Sequence, residues 1–61
     1  MIAGARVATL QGPGTVIYVR MRPPLYAEAE ALCVRLDARA GVPGYTGTIY
    51  RVADVAPVVA S

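Results

Sequence analysis

The sequence predicts an all-β fold, a small five-stranded barrel with a short helical turn before its last strand. Three observations carry that expectation. Residues 15–21 (Thr-Val-Ile-Tyr-Val-Arg-Met) and 46–52 (Thr-Gly-Thr-Ile-Tyr-Arg-Val) are dense in β-branched and aromatic side chains, which suit a pleated, half-buried surface. Gln11-Gly12-Pro13-Gly14 and Gly41-Val42-Pro43-Gly44 are strong turn clusters, since glycine supplies positive φ and proline presets a bend. The chain has 61 residues, 56% of them apolar, which fills one core and therefore makes residues 1–61 a single domain.

In chain order, residues 4–10 read as a short first strand with Val7 pointing inward. After the first turn cluster comes Thr15–Met21, ended by Pro23-Pro24, because two successive prolines cannot feed a ladder. Residues 25–40 admit two readings. As a helix, the prolines start it, Glu28 and Glu30 lie early, Arg35 and Arg39 late, and Gly41 stops it, with Leu25, Ala29, Leu32 and Leu36 on one face. As a strand, only residues 32–37 are extended, with Leu32, Val34 and Leu36 inward and Cys33, Arg35 and Asp37 outward, after an irregular loop over 25–31. The strand completes a closed five-stranded sheet and is adopted. Thr46–Val52 is the fourth strand, Val52-Ala53-Asp54-Val55 a tight helical turn, and Pro57-Val58-Val59 the closing strand.

Composition narrows the rest. A chain this short buries only about 60% of the surface its unfolded form exposes, so it needs a disulfide, a metal or a partner to be robust. Cys33 is the sole cysteine and there is no histidine, which removes a disulfide framework and the usual ligands of a structural metal. A homo-oligomer, or a subunit on a larger protein partner, is therefore expected. The longest charge-free stretch, Val7 to Val19, is short and broken by glycine and proline, so no membrane segment is expected. The first residues lack a basic region followed by an apolar one, so no signal peptide is read and a cytoplasmic location is the default. All six basic residues are arginine, which with the abundant alanine and valine points to a GC-rich genome. The formal charge of +2 allows a nucleic-acid partner without arguing for one.

The order Gly4-Ala5-Arg6-Val7, Gly12-Pro13-Gly14-Thr15-Val16, Val34-Arg35-Leu36-Asp37 and Val52-Ala53-Asp54-Val55-Ala56-Pro57-Val58 resembles a small SH3-like β-barrel of the KOW or Tudor-like kind. A narrower similarity is to the plasmid-borne type II dihydrofolate reductases, short SH3-like barrels that work as tetramers around a shared pore. Their pore-lining Val-Gln-Ile-Tyr strand resembles Gly47-Thr48-Ile49-Tyr50, which by that resemblance makes Thr48, Ile49 and Tyr50 pore-lining. Thr48 replaces the family's glutamine, and the chain has no lysine for its cationic position.

Catalytic chemistry finds little to work with. No histidine is present for acid–base transfer at neutral pH, and Cys33 has no histidine or lysine to draw off its proton. Glu28 and Glu30 read as a solvated acidic edge, and Gly12-Pro13-Gly14 is too short for a phosphate loop. No catalytic residue, metal site or cofactor is assigned. Binding is better served. Arg20 and Arg22 leave the second strand together, Arg51 leaves the fourth, and Tyr26, Tyr45 and Tyr50 accompany them; arginine with tyrosine suits protein hot spots, phosphate contacts and base stacking. Tyr18 and Tyr50 have a plainer use as caps on a core without phenylalanine or tryptophan. The expected function is a non-enzymatic accessory module of a bacterium, phage or plasmid that engages protein or nucleic acid through Arg20, Arg22, Tyr26, Tyr45, Tyr50 and Arg51. The alternatives are an oligomeric reductase of the type II kind and a structural assembly subunit.

Overall fold

The computed structural model describes residues 2–58. The chain forms β1 (Arg6–Thr9), β2 (Gly12–Met21), β3 (Ala29–Leu36), β4 (Thr48–Arg51) and β5 (Ala56–Pro57), with one-turn 3-10 helices at Asp37–Arg39 and Val52–Asp54. All pairings are antiparallel, in the order β4-β3-β2-β1-β5. The fold is therefore all-β and five-stranded, with the helical turn immediately before the last strand. β4 and β5 are the two borders of one sheet, so the cylinder is not closed, although the order is compatible with the barrel expected. No helix among the described residues is long and apolar enough to cross a membrane.

The β1–β2 hairpin turns at Leu10-Gln11, and Gly12 takes a φ of +111°, a conformation that L side chains rarely adopt. The Thr9 hydroxyl accepts from the Gln11 amide at 3.0 Å and donates to the Gly12 carbonyl at 2.9 Å, which fixes the bend. Gly14 has a different task from Gly12. It lies within β2, buried, where an added Cβ would stand 2.6 Å from both the Arg35 carbonyl oxygen and a Val34 methyl. The turn cluster thus contains one turn glycine and one packing glycine.

Within residues 25–40 the strand reading holds over the α-helix, but β3 is Ala29–Leu36, beginning three residues earlier than expected, and Asp37 belongs to the 3-10 turn. Ala29 and Glu30 have weak β-propensity; pairing with the end of β2, through Ala29 opposite Met21, extends them. The closing strand is Ala56–Pro57, after which the Val58 amide donates to the Arg6 carbonyl at 3.1 Å; Val59 lies outside the described residues.

Leu32, Val34 and Leu36 alternate inward from β3 and are fully buried with Val7 and Val16, while Val55 and the half-buried Ala5, Val19, Tyr45, Tyr50 and Val52 complete the core. One irregularity sets which side chains of β2 join them. Val16 pairs with Val34 but Tyr18 pairs with Cys33, so Ile17 is the extra residue of a β-bulge. The bulge shifts the alternation by one, returning Val19 to the core side opposite Leu32 and turning Tyr18 away.

Candidate binding face

Directly paired residues of neighbouring strands share a face. On the side of the sheet away from the core, register therefore lays down three transverse rows. Arg6, Thr15 and Arg35 cross β1, β2 and β3; Tyr18, Cys33 and Ile49 cross β2, β3 and β4; Arg20, Ala31 and Arg51 follow. The middle row is apolar and open at its two ends, with Tyr18 51% and Ile49 57% exposed. Between them Cys33 faces outward as expected yet is only 5% exposed, because Gly47 and the Ile17 side chain close over its sulfur. The outer face is thus an apolar band bounded by two polar rows.

Three of the four arginines on those rows, Arg6, Arg20 and Arg51, are already engaged. Arg20 Nε lies 3.4 Å from Glu30 Oε2, and Arg51 Nε lies 3.2 Å from Asp54 Oδ2. Arg6 grips Asp37 with both Nη atoms, at 2.8 and 2.5 Å, and also donates to the Thr15 hydroxyl at 2.8 Å. That hydrogen bond holds the Asp37 carboxyl below the usual carboxylate range, against the opposing effect of desolvation, and raises the Arg6 guanidinium. Among the described residues Arg22, Arg35 and Arg39 form no ion pair.

The residues expected to form one binding set are spread over three places. Arg20 and Arg51 share the third row, separated by Ala31. Arg22 and Tyr26 belong to the loop after β2, which is closed by the Arg22 amide donating to the Glu28 carbonyl at 2.8 Å and the Tyr26 amide to the Arg22 carbonyl at 2.9 Å. Tyr26 is held there at a φ of +55°, unusual for a residue with a side chain, and with Leu25 it is exposed. Arg22, Pro23, Pro24, Leu25, Ala27 and Glu28 line a shallow concavity of about 260 Å³.

Tyr45 and Tyr50 face the other way. Both are half-buried against the core. The Tyr45 hydroxyl accepts from the Leu36 amide at 3.1 Å and lies 3.0 Å from the Thr48 hydroxyl. The Tyr50 hydroxyl bonds to the Gln11 side-chain carbonyl and lies 3.4 Å from the Thr9 hydroxyl. Their polar ends tie loops to the sheet. Thr48 and Tyr50 pair with Val34 and Leu32 on the core side, whereas Ile49 pairs with Cys33 outside, so these three consecutive residues do not line one surface.

Tyr18 and Ile49 as a joint surface were missed from sequence. The signal existed for Ile49, which alternates with Thr48 and Tyr50, but Tyr18 turns outward only because of the bulge at Ile17. Among the described residues no three His, Cys, Asp or Glu side chains meet to hold a metal ion. No family model, curated protein or solved structure matches the chain.

Proposed function

We propose that this chain is a non-enzymatic, SH3-like binding module that takes a protein partner on the outer face of β2, β3 and β4. The observation that carries the reading is the pair of exposed apolar side chains, Tyr18 and Ile49, that flank the covered Cys33 between two polar rows. That arrangement has the anatomy of a protein interface, with an apolar centre and a polar rim. The five-strand order with a 3-10 turn between β4 and β5 supports the SH3-like description. A nucleic-acid partner is less well served. On the Arg20–Arg51 row its phosphates would have to displace Glu30 from Arg20 and Asp54 from Arg51, and Tyr45 and Tyr50 turn their rings to the core rather than to a stacking surface.

Selection of peptides from a random library against the purified chain tests this. Apolar peptides should be enriched, and their binding should fall on Ile49→Asp but not on Leu10→Asp, a change at the hairpin tip where the side chain is 98% exposed. Peptides indifferent to Ile49→Asp, or salt-sensitive binding of DNA or RNA oligonucleotides in their place, would overturn it.

A further inference from the structure

Resting on the reading of this chain as a module for protein partners, we infer that the partner joins as an extended strand along the open border of β4, bringing an acidic residue to Arg51 and an apolar one to Ile49. The direction of the backbone carries the argument. The Val16 amide donates to the Ala5 carbonyl, and its carbonyl accepts from the Gly4 amide, both on the β1 side. Its pairing with Val34 is therefore one without hydrogen bonds, and the Val34 amide and carbonyl point onward to β4. Leu36 agrees, since its amide leaves β3 on that side to reach the Tyr45 hydroxyl. Alternation along the unshifted β3–β4 register then makes Val34–Thr48 and Leu32–Tyr50 the hydrogen-bonded pairs. The amides and carbonyls of Ile49 and Arg51 point away from β3, and among the described residues they meet no partner.

Such a border selects its occupant. Two donors and two acceptors, set about 6.8 Å apart along a strand, match another extended backbone and little else. The opposite border of the sheet competes poorly, because β5 has two residues and one of them is Pro57. In antiparallel pairing the incoming residues opposite Arg51 and Ile49 share the outer face with them. The one beside Ile49 extends the apolar row that starts at Tyr18. The one beside Arg51 meets a guanidinium whose Nε is held by Asp54 and whose Nη atoms have no partner among the described residues, which suits a carboxylate. Because the incoming strand runs opposite to β4, its acidic residue comes first and its apolar residue two positions later. A second copy of β4 answers these needs less well. Antiparallel pairing about Tyr50 would set Ile49 against another Arg51, bringing a guanidinium where an apolar group belongs.

A short capped peptide of threonine around a central Glu-Thr-Val, titrated into the whole chain and followed by amide NMR, tests the inference. The Ile49 and Arg51 amides should gain protection from hydrogen exchange, while those of Thr48 and Tyr50, already in the ladder, change little. Methylating the valine nitrogen of the peptide should weaken binding about ten-fold, and methylating the threonine before it, whose amide points away, should cost much less. Arg51 has a φ of −72°, which proline adopts, and its amide lies outside the ladder. Arg51→Pro should therefore fold, as circular dichroism would check, and bind about ten-fold more weakly than Arg51→Ala. If Arg51→Pro unfolds, the methylation pattern decides alone. Absence of binding at millimolar peptide, equal binding by the two Arg51 variants, or methylation effects without the two-residue period overturns the inference. Protection of the same amides by self-association of the chain alone does so too. Library peptides that depend on Ile49 yet ignore Arg51→Pro would leave the module reading standing, so the two failures are distinguishable.

Discussion

A Cβ placed on Gly47 would stand 2.6 Å from the Cys33 sulfur and 3.0 Å from the Ile17 side chain. The bareness of Gly47 lets the segment before β4 lie on the outer side of β3 and bury a cysteine that faces away from the core. Gly47→Ala should therefore cost about 1–3 kcal/mol, the usual range for overpacking. Urea denaturation would measure the loss, and Cys33→Ala in the same chain should recover part of it because the two changes share one contact. An additive pair of effects would mean that the sulfur is not what Gly47 accommodates.

Gly14 makes the corresponding approach on the core side of the sheet, where β2 passes the Val34–Arg35 backbone. Gly14→Ala sets a methyl against a carbonyl oxygen that cannot move without breaking the β2–β3 ladder. A destabilisation of about 1–3 kcal/mol is expected. For a chain of this length, whose stability is of order 3–9 kcal/mol, that is a large part of the total. The thermal midpoint should fall clearly, and an unchanged midpoint would contradict the packing described.

Arg6 and Asp37 join the first strand to the far end of β3 across Thr15, spanning 31 residues of sequence. Because the pairing lowers the folded carboxyl below its unfolded value of about 3.9, its contribution is complete above that value. It is lost as the pH falls through the lower folded value. Melting temperature followed from neutral pH downward should drop in that acidic window, and Asp37→Asn should flatten the drop. A variant whose acid profile matches the unaltered chain would show that the pair does not couple protonation to folding.

The Tyr45 hydroxyl receives the amide hydrogen of Leu36, a fully buried residue, at the point where β3 gives way to the 3-10 turn. Tyr45→Phe keeps the ring and removes that acceptor, at an expected cost of about 1–2 kcal/mol. Hydrogen exchange should show the Leu36 amide losing protection while the amides of the β1–β2 hairpin keep theirs. Equal loss at both sites would point to a general loosening rather than to this bond.

Much of the fold was legible because period-two alternation is a local property. Leu32, Val34 and Leu36 declare their face by spacing, and the turn clusters punctuate the strands between which they lie. What could not be read depends on partners far along the chain. Ala29 and Glu30 are extended by Met21 and Arg20 rather than by their own preference. Gly12 and Gly14 look alike in sequence and are separated in role only by what crosses above them.

The binding set fared similarly. Arg20 and Arg51 do come together, because paired strands bring them to one row, but Tyr45 and Tyr50 spend their hydroxyls inside the molecule. Aromatic type alone does not say which way a ring turns. Tyr18 reaches the open face through one inserted residue, and nothing local to Ile17 announces a bulge.

Along β5 the Val58 amide points at Arg6, so by alternation the nitrogen of Pro57 points away from β1, toward the unoccupied border. A proline there offers no hydrogen to an incoming backbone. That border keeps the Pro57 carbonyl as an acceptor but lacks the donor that would complete a pair with another chain, which makes it a poorer template for stacking into fibrils.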